Sequence, residues 1–157
     1  MNTIAKWDKI KKYITKRKAI PMKYIEKFWD ELEIYHRDFI CKQKLDIDFI
    51  KRKWKTLTEW QRILIYYNND LPESFINSIW DNLNDNDKRN ILLVQKLSQP
   101  FIEKIWPELK EYQRTIICKK QKLNLDFIKK VWKQLTIQQK KIIKNRDPLI
   151  KFVVFSL

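Results

Sequence analysis

The chain has 157 residues, of which 44% are apolar and 13% aromatic, enough for one domain with a continuous core. It contains no glycine, which excludes phosphate-binding loops, nucleophile elbows and dinucleotide-binding turns, because these need backbone shapes that glycine adopts readily. The net charge of +15 is uneven: residues 1–20 hold seven basic and one acidic residue, residues 119–146 hold ten and one, and the segment 21–118 is neutral.

Five tryptophans mark an internal repeat with spacings of 25, 26, 26 and 26 residues. They are Trp29, Trp54, Trp80, Trp106 and Trp132. Each is preceded by an aromatic residue at five positions and by Ile at four, and followed by Leu at three positions and Ile at eleven. On a helix the residues from the aromatic to the Leu form one apolar stripe, which predicts a first helix, A, in each repeat.

Capping residues predict where the helices begin. Helix A is expected to follow the N-caps Asp46, Ser98 and Asn124. A second helix, B, is expected after Thr58 and Thr136, each followed by Gln at the third position as in a capping box. Pro107 directly follows Trp106 and disfavours α geometry there, so helix A is predicted to end or kink at the Trp.

The pattern predicts an all-α fold of tandem helix-pair repeats of about 26 residues, stacked into a short α-solenoid, since one pair cannot bury its own apolar face. We predict a single domain over 1–157. Its boundaries are a partial repeat 1–19, five repeats at 20–44, 45–70, 71–96, 97–122 and 123–148, and a partial repeat 149–157.

Repeats 1 and 2 match repeats 4 and 5 closely, which indicates duplication of a three-repeat block. Cys41 and Cys118 occupy equivalent positions in the two copies. With layers about 10 Å apart, three layers put them roughly 30 Å from each other. That distance is beyond disulfide reach, so we expect two reduced, structural thiols.

The string from Gln95 to Ile102, with its counterpart from Gln121 to Ile128, resembles the short Q-x-L-S-x-x-F-I helical repeats of phage and large-DNA-virus proteins. The resemblance covers nearly the whole chain but concerns core and capping residues. It implies the fold and a viral or mobile-element setting. It carries over no catalytic residue.

A basic residue stands eight positions after every repeat Trp and forms a ladder: Arg37, Arg62, Lys88, Arg114 and Lys140. One interpretation is a series of contacts with phosphates or with an acidic protein face. The other, which we favour, is that these side chains pack over the core and pair with acids of the neighbouring repeat.

The repeat tryptophans could stack nucleobases, but their place on the apolar stripe favours the core. Trp7 and Trp60 fall outside that register and are better candidates for surface contact, although capping and packing roles are still favoured for them. His36 stands where other repeats have Gln and is read as a capping substitute. One His and two distant Cys support no metal site, and no acid/base pair stands out, so we expect neither an enzyme nor a cofactor.

The single sign of charge at both ends is the strongest functional hint, because a basic excess attracts polyanions. The hypothesis is a non-catalytic protein that binds nucleic acid or a nucleoprotein complex through its ends. The candidate binding residues are Lys11, Arg17, Arg37, Arg62, Lys88, Arg114, Lys129, Lys130, Lys133, Lys140 and Lys144.

Given the viral resemblance, one form of this hypothesis is a phage-encoded inhibitor of a host defence system such as CRISPR. The alternative is a scaffold that recognises an acidic protein partner without nucleic acid. No apolar run approaches the roughly 18 residues that span a bilayer, so we expect no membrane partner and a cytoplasmic location, in the host cell if the protein is viral.

Overall fold

A computed structural model of the chain describes residues 18–146 together with Asp8, Lys12 and Tyr13. These residues contain ten α-helices and five 3₁₀ helices and no strand, which confirms the predicted all-α class of helix-pair repeats. The partial repeat predicted at 149–157 lies outside the described residues, as does most of the one predicted at 1–19.

Each repeat consists of an A helix, a 3₁₀ helix and a B helix. The A helices are α1 (Met22–Phe28), α3 (Ile47–Lys53), α5 (Glu73–Ile79), α7 (Gln99–Ile105) and α9 (Leu125–Val131). The B helices are α2 (Ile34–Ile40), α4 (Glu59–Asn68), α6 (Asp85–Val94), α8 (Glu111–Lys120) and α10 (Ile137–Arg146). The 3₁₀ helices between them are Trp29–Glu31, Trp54–Thr56, Trp80–Asn82, Trp106–Glu108 and Trp132–Gln134.

Helix A gives way to 3₁₀ geometry at the Trp of every repeat, with or without a following proline. In repeat 4, where Pro107 predicted the change, the N–H of Leu109 donates to the carbonyl of Trp106 at 3.3 Å; in repeat 1, Leu32 and Trp29 form the same bond at 3.2 Å. A 3₁₀ helix has three residues per turn, so residues three apart lie on the same side. In repeats 1 and 4 the Trp and the Leu are thereby both buried.

The predicted caps of both helices are present. In repeat 2 the Asp46 carboxylate accepts from the N–H groups of Asp48 and Phe49, and Thr58 forms a full capping box with Gln61. Side-chain caps at the corresponding predicted starts of the later repeats are Ser98, Asn124 and Thr136.

The chain divides into two compact units, Met1–Leu71 and Pro72–Leu157, called here the N-terminal and C-terminal units. The division lies one residue from the predicted boundary between repeats 2 and 3. In the N-terminal unit α2 packs against α4, and in the C-terminal unit α8 packs against both α6 and α10. None of the helices in the described part of the chain has the length and apolar character needed to cross a membrane.

Consecutive repeats are joined by edge-to-face aromatic pairs within each unit. The Trp29 ring lies 5.1 Å from that of Phe49, and the Trp106 ring 5.2 Å from that of Phe127, with planes 85° and 90° apart. Trp80 pairs with the Phe of repeat 4 in the same way. These three tryptophans are buried as predicted, whereas Trp54 and Trp132 are only half-buried.

In three repeats a side-chain amide at the end of helix B forms hydrogen bonds with the backbone of the first residue of the same repeat. The Gln43 amide both accepts from the N–H and donates to the carbonyl of Ile20, at 2.8 and 2.9 Å. Gln121 accepts from the Leu97 N–H at 3.1 Å, and the Asn69 side chain accepts from the Leu45 N–H in the same way. The Gln of the Q-x-L-S-x-x-F-I pattern therefore hydrogen-bonds to the backbone at the start of its repeat, and the Ser is the N-cap of helix A.

Both cysteines are buried and unbonded, in agreement with the predicted reduced thiols. Burial raises the pKa of Cys41 to about 12, with a further contribution from the nearby Asp38 carboxylate. Burial also raises the pKa of Cys118 to about 11, although Arg146 acts in the opposite direction. Thiols that stay protonated at neutral pH are poor nucleophiles, so both cysteines are packing residues.

Candidate nucleic-acid interface

The basic ladder predicted from the sequence lies over the repeat tryptophans. The Arg37 guanidinium is 5.4 Å from the Trp29 ring centre, and its Nε donates to the Trp29 carbonyl at 3.0 Å. Arg114 repeats this arrangement on Trp106. The same ring contact, at 5.3 to 6.0 Å, is made by Arg62, Lys88 and Lys140.

These contacts give the ladder a structural role in every repeat. A cation over an indole face contributes about 0.5–1 kcal/mol at an exposed site. Arg37 and Arg114 in addition donate to the carbonyls of Asp30 and Pro107 within the 3₁₀ helix, at 3.2 and 3.3 Å. Contact of the ladder with a ligand stays a prediction. The indoles beneath it offer no stacking platform in repeats 1, 3 and 4, because there the rings are buried.

Two cations of α3 in the N-terminal unit are neutralised by acids of the preceding repeat. Arg52 pairs with Glu26 at 2.5 Å, and the Lys53 ammonium pairs with the Asp30 carboxylate at 2.7 Å. In the C-terminal unit Lys110 pairs with Asp85 of the preceding repeat. Positive charge in these places is therefore largely cancelled at the surface.

The basic stretch 119–146 differs, because its cations outnumber the acids around them. Within the described residues it forms one ion pair, between Lys130 and Glu103 at 3.9 Å. Six exposed lysines there have no carboxylate partner in the described part of the chain; they are called the lysine surface and are Lys119, Lys120, Lys122, Lys129, Lys133 and Lys141.

The predicted binding residues do not all come together. Lys129, Lys130 and Lys133 lie on the exposed side of α9 and its 3₁₀ helix, while Lys140 and Lys144 lie over the Trp132 ring from α10. Of these five residues, Lys140 and Lys144 are the two placed over that ring. The remaining predicted residues near the N-terminus, Lys11 and Arg17, lie outside the described residues.

Sequence reasoning missed a row of exposed aromatic side chains on the B helices. Tyr35, Trp60 and Tyr112 each stand six positions after the repeat Trp and are 60%, 54% and 43% exposed. Only Trp60 was singled out beforehand. The shared register position was visible in the sequence and could have identified the other two.

The described residues offer little for catalysis. They contain no group of three His, Cys, Asp or Glu side chains placed to hold a metal ion. His36 is buried beside Tyr35, and burial lowers its pKa, against the opposing effect of the Glu33 carboxylate. Its place in the first turn of α2 matches that of Gln61 in α4, but no side-chain cap is formed at the start of α2.

No family model matches the chain, and neither a curated protein nor a solved structure matches it. The resemblance to phage and large-DNA-virus repeats thus stays a prediction.

Proposed function

We propose that this chain is a non-catalytic nucleic-acid-binding protein whose lysine surface contacts phosphates. The observation that carries the proposal is the set of six exposed lysines without a carboxylate partner among the described residues, in a fold where Arg52, Lys53 and Lys110 each pair with an acid of the preceding repeat. Unpaired lysines release counterions from nucleic acid when they bind, and this release supplies most of the affinity of sequence-independent binding.

The biological form of the proposal follows from the resemblance to viral repeats. A nucleoprotein complex offers both exposed phosphates and a protein surface, so a phage-encoded inhibitor of a host defence system such as CRISPR is a setting in which this charge would be used. The cations would then compete for, or cover, the nucleic-acid channel of that complex.

The second candidate is a scaffold that binds an acidic protein partner and no nucleic acid. It is favoured by the N-terminal unit, where Tyr35, Phe39, Trp60 and Tyr67 are exposed on the B helices. Exposed aromatic side chains are enriched at protein interfaces. Both candidates use the same lysines against different anions, so a direct binding measurement separates them.

The test is a salt-dependent titration of fluorescently labelled single-stranded and duplex oligonucleotides, read by anisotropy. Affinity should fall steeply between about 50 and 200 mM salt. Replacing Lys129 and Lys133 by Gln should weaken binding and flatten the slope by about 0.7 per lost contact on a single strand. The matched control replaces Lys51 and Lys55, at the same register positions in repeat 2, and should change affinity less.

If neither DNA nor RNA binds at low ionic strength, the nucleic-acid proposal is wrong. Retention of an acidic protein from the native host would then support the scaffold. Equal losses in the test and control variants would show that the charge acts through its total and not through the lysine surface.

A further inference from the structure

The C-terminal unit has an open groove on its B-helix side, with a volume of about 570 Å³. Its size lies within the range of about 300–1,000 Å³ that small-molecule sites span. The lining that matters chemically comes from three helices: Arg89 of α6, Glu111, Tyr112, Thr115 and Lys119 of α8, and Gln138 of α10. An exposed aromatic ring thus lies in a groove that also holds two cations.

Arg89 lines this groove at a position where two other repeats have the acceptor of a hydrogen bond from a buried Gln. In repeats 2 and 5 the Gln in the first turn of helix B donates to a side chain of the preceding repeat. Gln61 donates to Asp38 at 2.8 Å, and Gln139 donates to Thr115 at 3.0 Å. Both acceptors stand nine positions after their repeat Trp, and in repeat 3 that position is Arg89.

Arginine has no acceptor atom, so it cannot receive this bond. Gln113 is only 2% exposed, and its Nε2 has no acceptor among the described residues. A buried donor left without a partner destabilises a fold. Packing therefore gives no reason for an arginine here, whereas a ligand that needs a cation does.

Tyr112 and Trp60 occupy the same register position but differ in the residues around them. Near Tyr112 of repeat 4, Arg89 stands nine positions after the Trp of repeat 3, and Lys119 stands thirteen positions after the Trp of repeat 4. In repeat 2 these positions hold Asp38 and Tyr67. Of these two rings, Tyr112 is the one that combines exposure with flanking positive charge, which is the combination that single-strand binders use.

We propose that this groove binds single-stranded nucleic acid, with one base stacked on the Tyr112 ring and the adjoining phosphates on Arg89 and Lys119. The inference rests on the proposed function and names its ligand class. Gln138 presents an amide that can bond to base edges. Lys141, like Lys119 a residue of the lysine surface, lies one turn further along α10 from Gln138. Glu111 repels phosphate, so the backbone follows the Lys119 end of α8.

The first test compares a single-stranded oligothymidylate with an oligomer of the same length and charge that lacks bases. The full-length protein should bind the oligothymidylate more tightly, because an abasic strand has nothing to stack. Tyr112→Ala should lower affinity for the oligothymidylate between about fivefold and a hundredfold while leaving the salt slope unchanged. Tyr112→Phe should retain the wild-type affinity. The matched control, Trp60→Ala, should bind as the wild type does.

The second test uses Arg89→Thr, which restores the residue found at this position in repeat 4. The variant should unfold at higher urea concentration than the wild type, because Gln113 gains an acceptor. Its affinity for the oligothymidylate should fall and its salt slope should flatten. Stability and binding then move in opposite directions, which misfolding could not produce.

Failure of this inference can be told apart from failure of the proposed function. If the oligothymidylate binds but the abasic strand or a duplex binds as tightly, or Tyr112→Ala changes nothing, the groove is not a stacking site and the lysine surface alone carries binding. If no oligonucleotide binds at low salt, both proposals are wrong.

Discussion

Repeats 1 and 2 form nearly the same structure as repeats 4 and 5, yet their surfaces differ in charge. The Trp–Phe ring distances are 5.1 and 5.2 Å, and the arginine lies 5.4 Å from the Trp ring in both. Lys51 and Arg52 of α3 correspond in register to Lys129 and Lys130 of α9. In repeat 2 the adjacent cations Arg52 and Lys53 meet Glu26 and Asp30, whereas in repeat 5 one ion pair, at 3.9 Å, is formed.

The cause of the difference lies in two register positions. Asp30 of repeat 1 corresponds to Pro107 of repeat 4, so the acid that neutralises Lys53 has no counterpart there. Lys53 itself corresponds to Val131. Exposed positions of a helical repeat change at little cost to the fold, and so the same core can carry a neutral surface in one place and a basic one in another.

The largest effect is expected from the shared core. Phe49→Ala and Phe127→Ala should each lower the free energy of unfolding by about 3–5 kcal/mol, because both rings are buried against a Trp. Phe→Leu at either position keeps most of the apolar volume and should cost less. Urea unfolding followed by circular dichroism measures both. A clearly smaller loss at Phe127 would contradict the equivalence of the two cores.

The charge difference can be removed by freeing the cations of repeat 2. Replacing Glu26 by Gln and Asp30 by Asn should leave Arg52 and Lys53 without acidic partners. Because both pairs are partly exposed, stability should change by no more than about 1 kcal/mol per pair. Affinity for a single-stranded oligonucleotide should rise, and its salt slope should steepen by about 0.7 per added phosphate contact.

The control for this variant is Glu33→Gln, which removes an acid of repeat 1 that forms no inter-repeat ion pair among the described residues. If the control raises affinity as much per charge removed, net charge and not the release of particular cations governs binding.

The smallest effect concerns the first turn of helix B, where His36 in repeat 1 corresponds to Gln113 in repeat 4. Burial lowers the pKa of His36, so below the unfolded value of about 6.5 the unfolded chain binds more protons than the folded one. Wild-type stability should therefore fall as pH drops from about 7 toward 5. His36→Gln should remove this dependence and add about 0.5–1.5 kcal/mol through the capping bond that Gln113 accepts from Lys110 at 2.9 Å.

Thermal or urea midpoints at several pH values, for wild type and variant in parallel, measure this contribution. Parallel pH profiles for the two proteins would show that His36 does not titrate with folding.

The sequence alone was sufficient for the fold class, the repeat register, the caps and the buried tryptophans of repeats 1, 3 and 4. These follow from local spacing: apolar side chains at helical intervals predict a buried stripe, and Thr58 with Gln61 predicts a helix start whatever surrounds it. Helix A was expected to run on through the Leu after the Trp in repeats without proline. It changes to 3₁₀ geometry there, which puts the Trp and the Leu three positions later on the same side of the helix.

Only the tertiary structure decided which cations are paired, which ones cover a Trp, and that Arg89 and Tyr112 share a groove. The ion pairs between repeats and the Arg89–Tyr112 pair join residues 23 to 27 positions apart, and the sequence does not specify which exposed side chains meet across such a distance. The physical reason is that burial constrains the core positions to a few residue types, whereas an exposed position accepts almost any, and its meaning depends on what the next repeat places beside it.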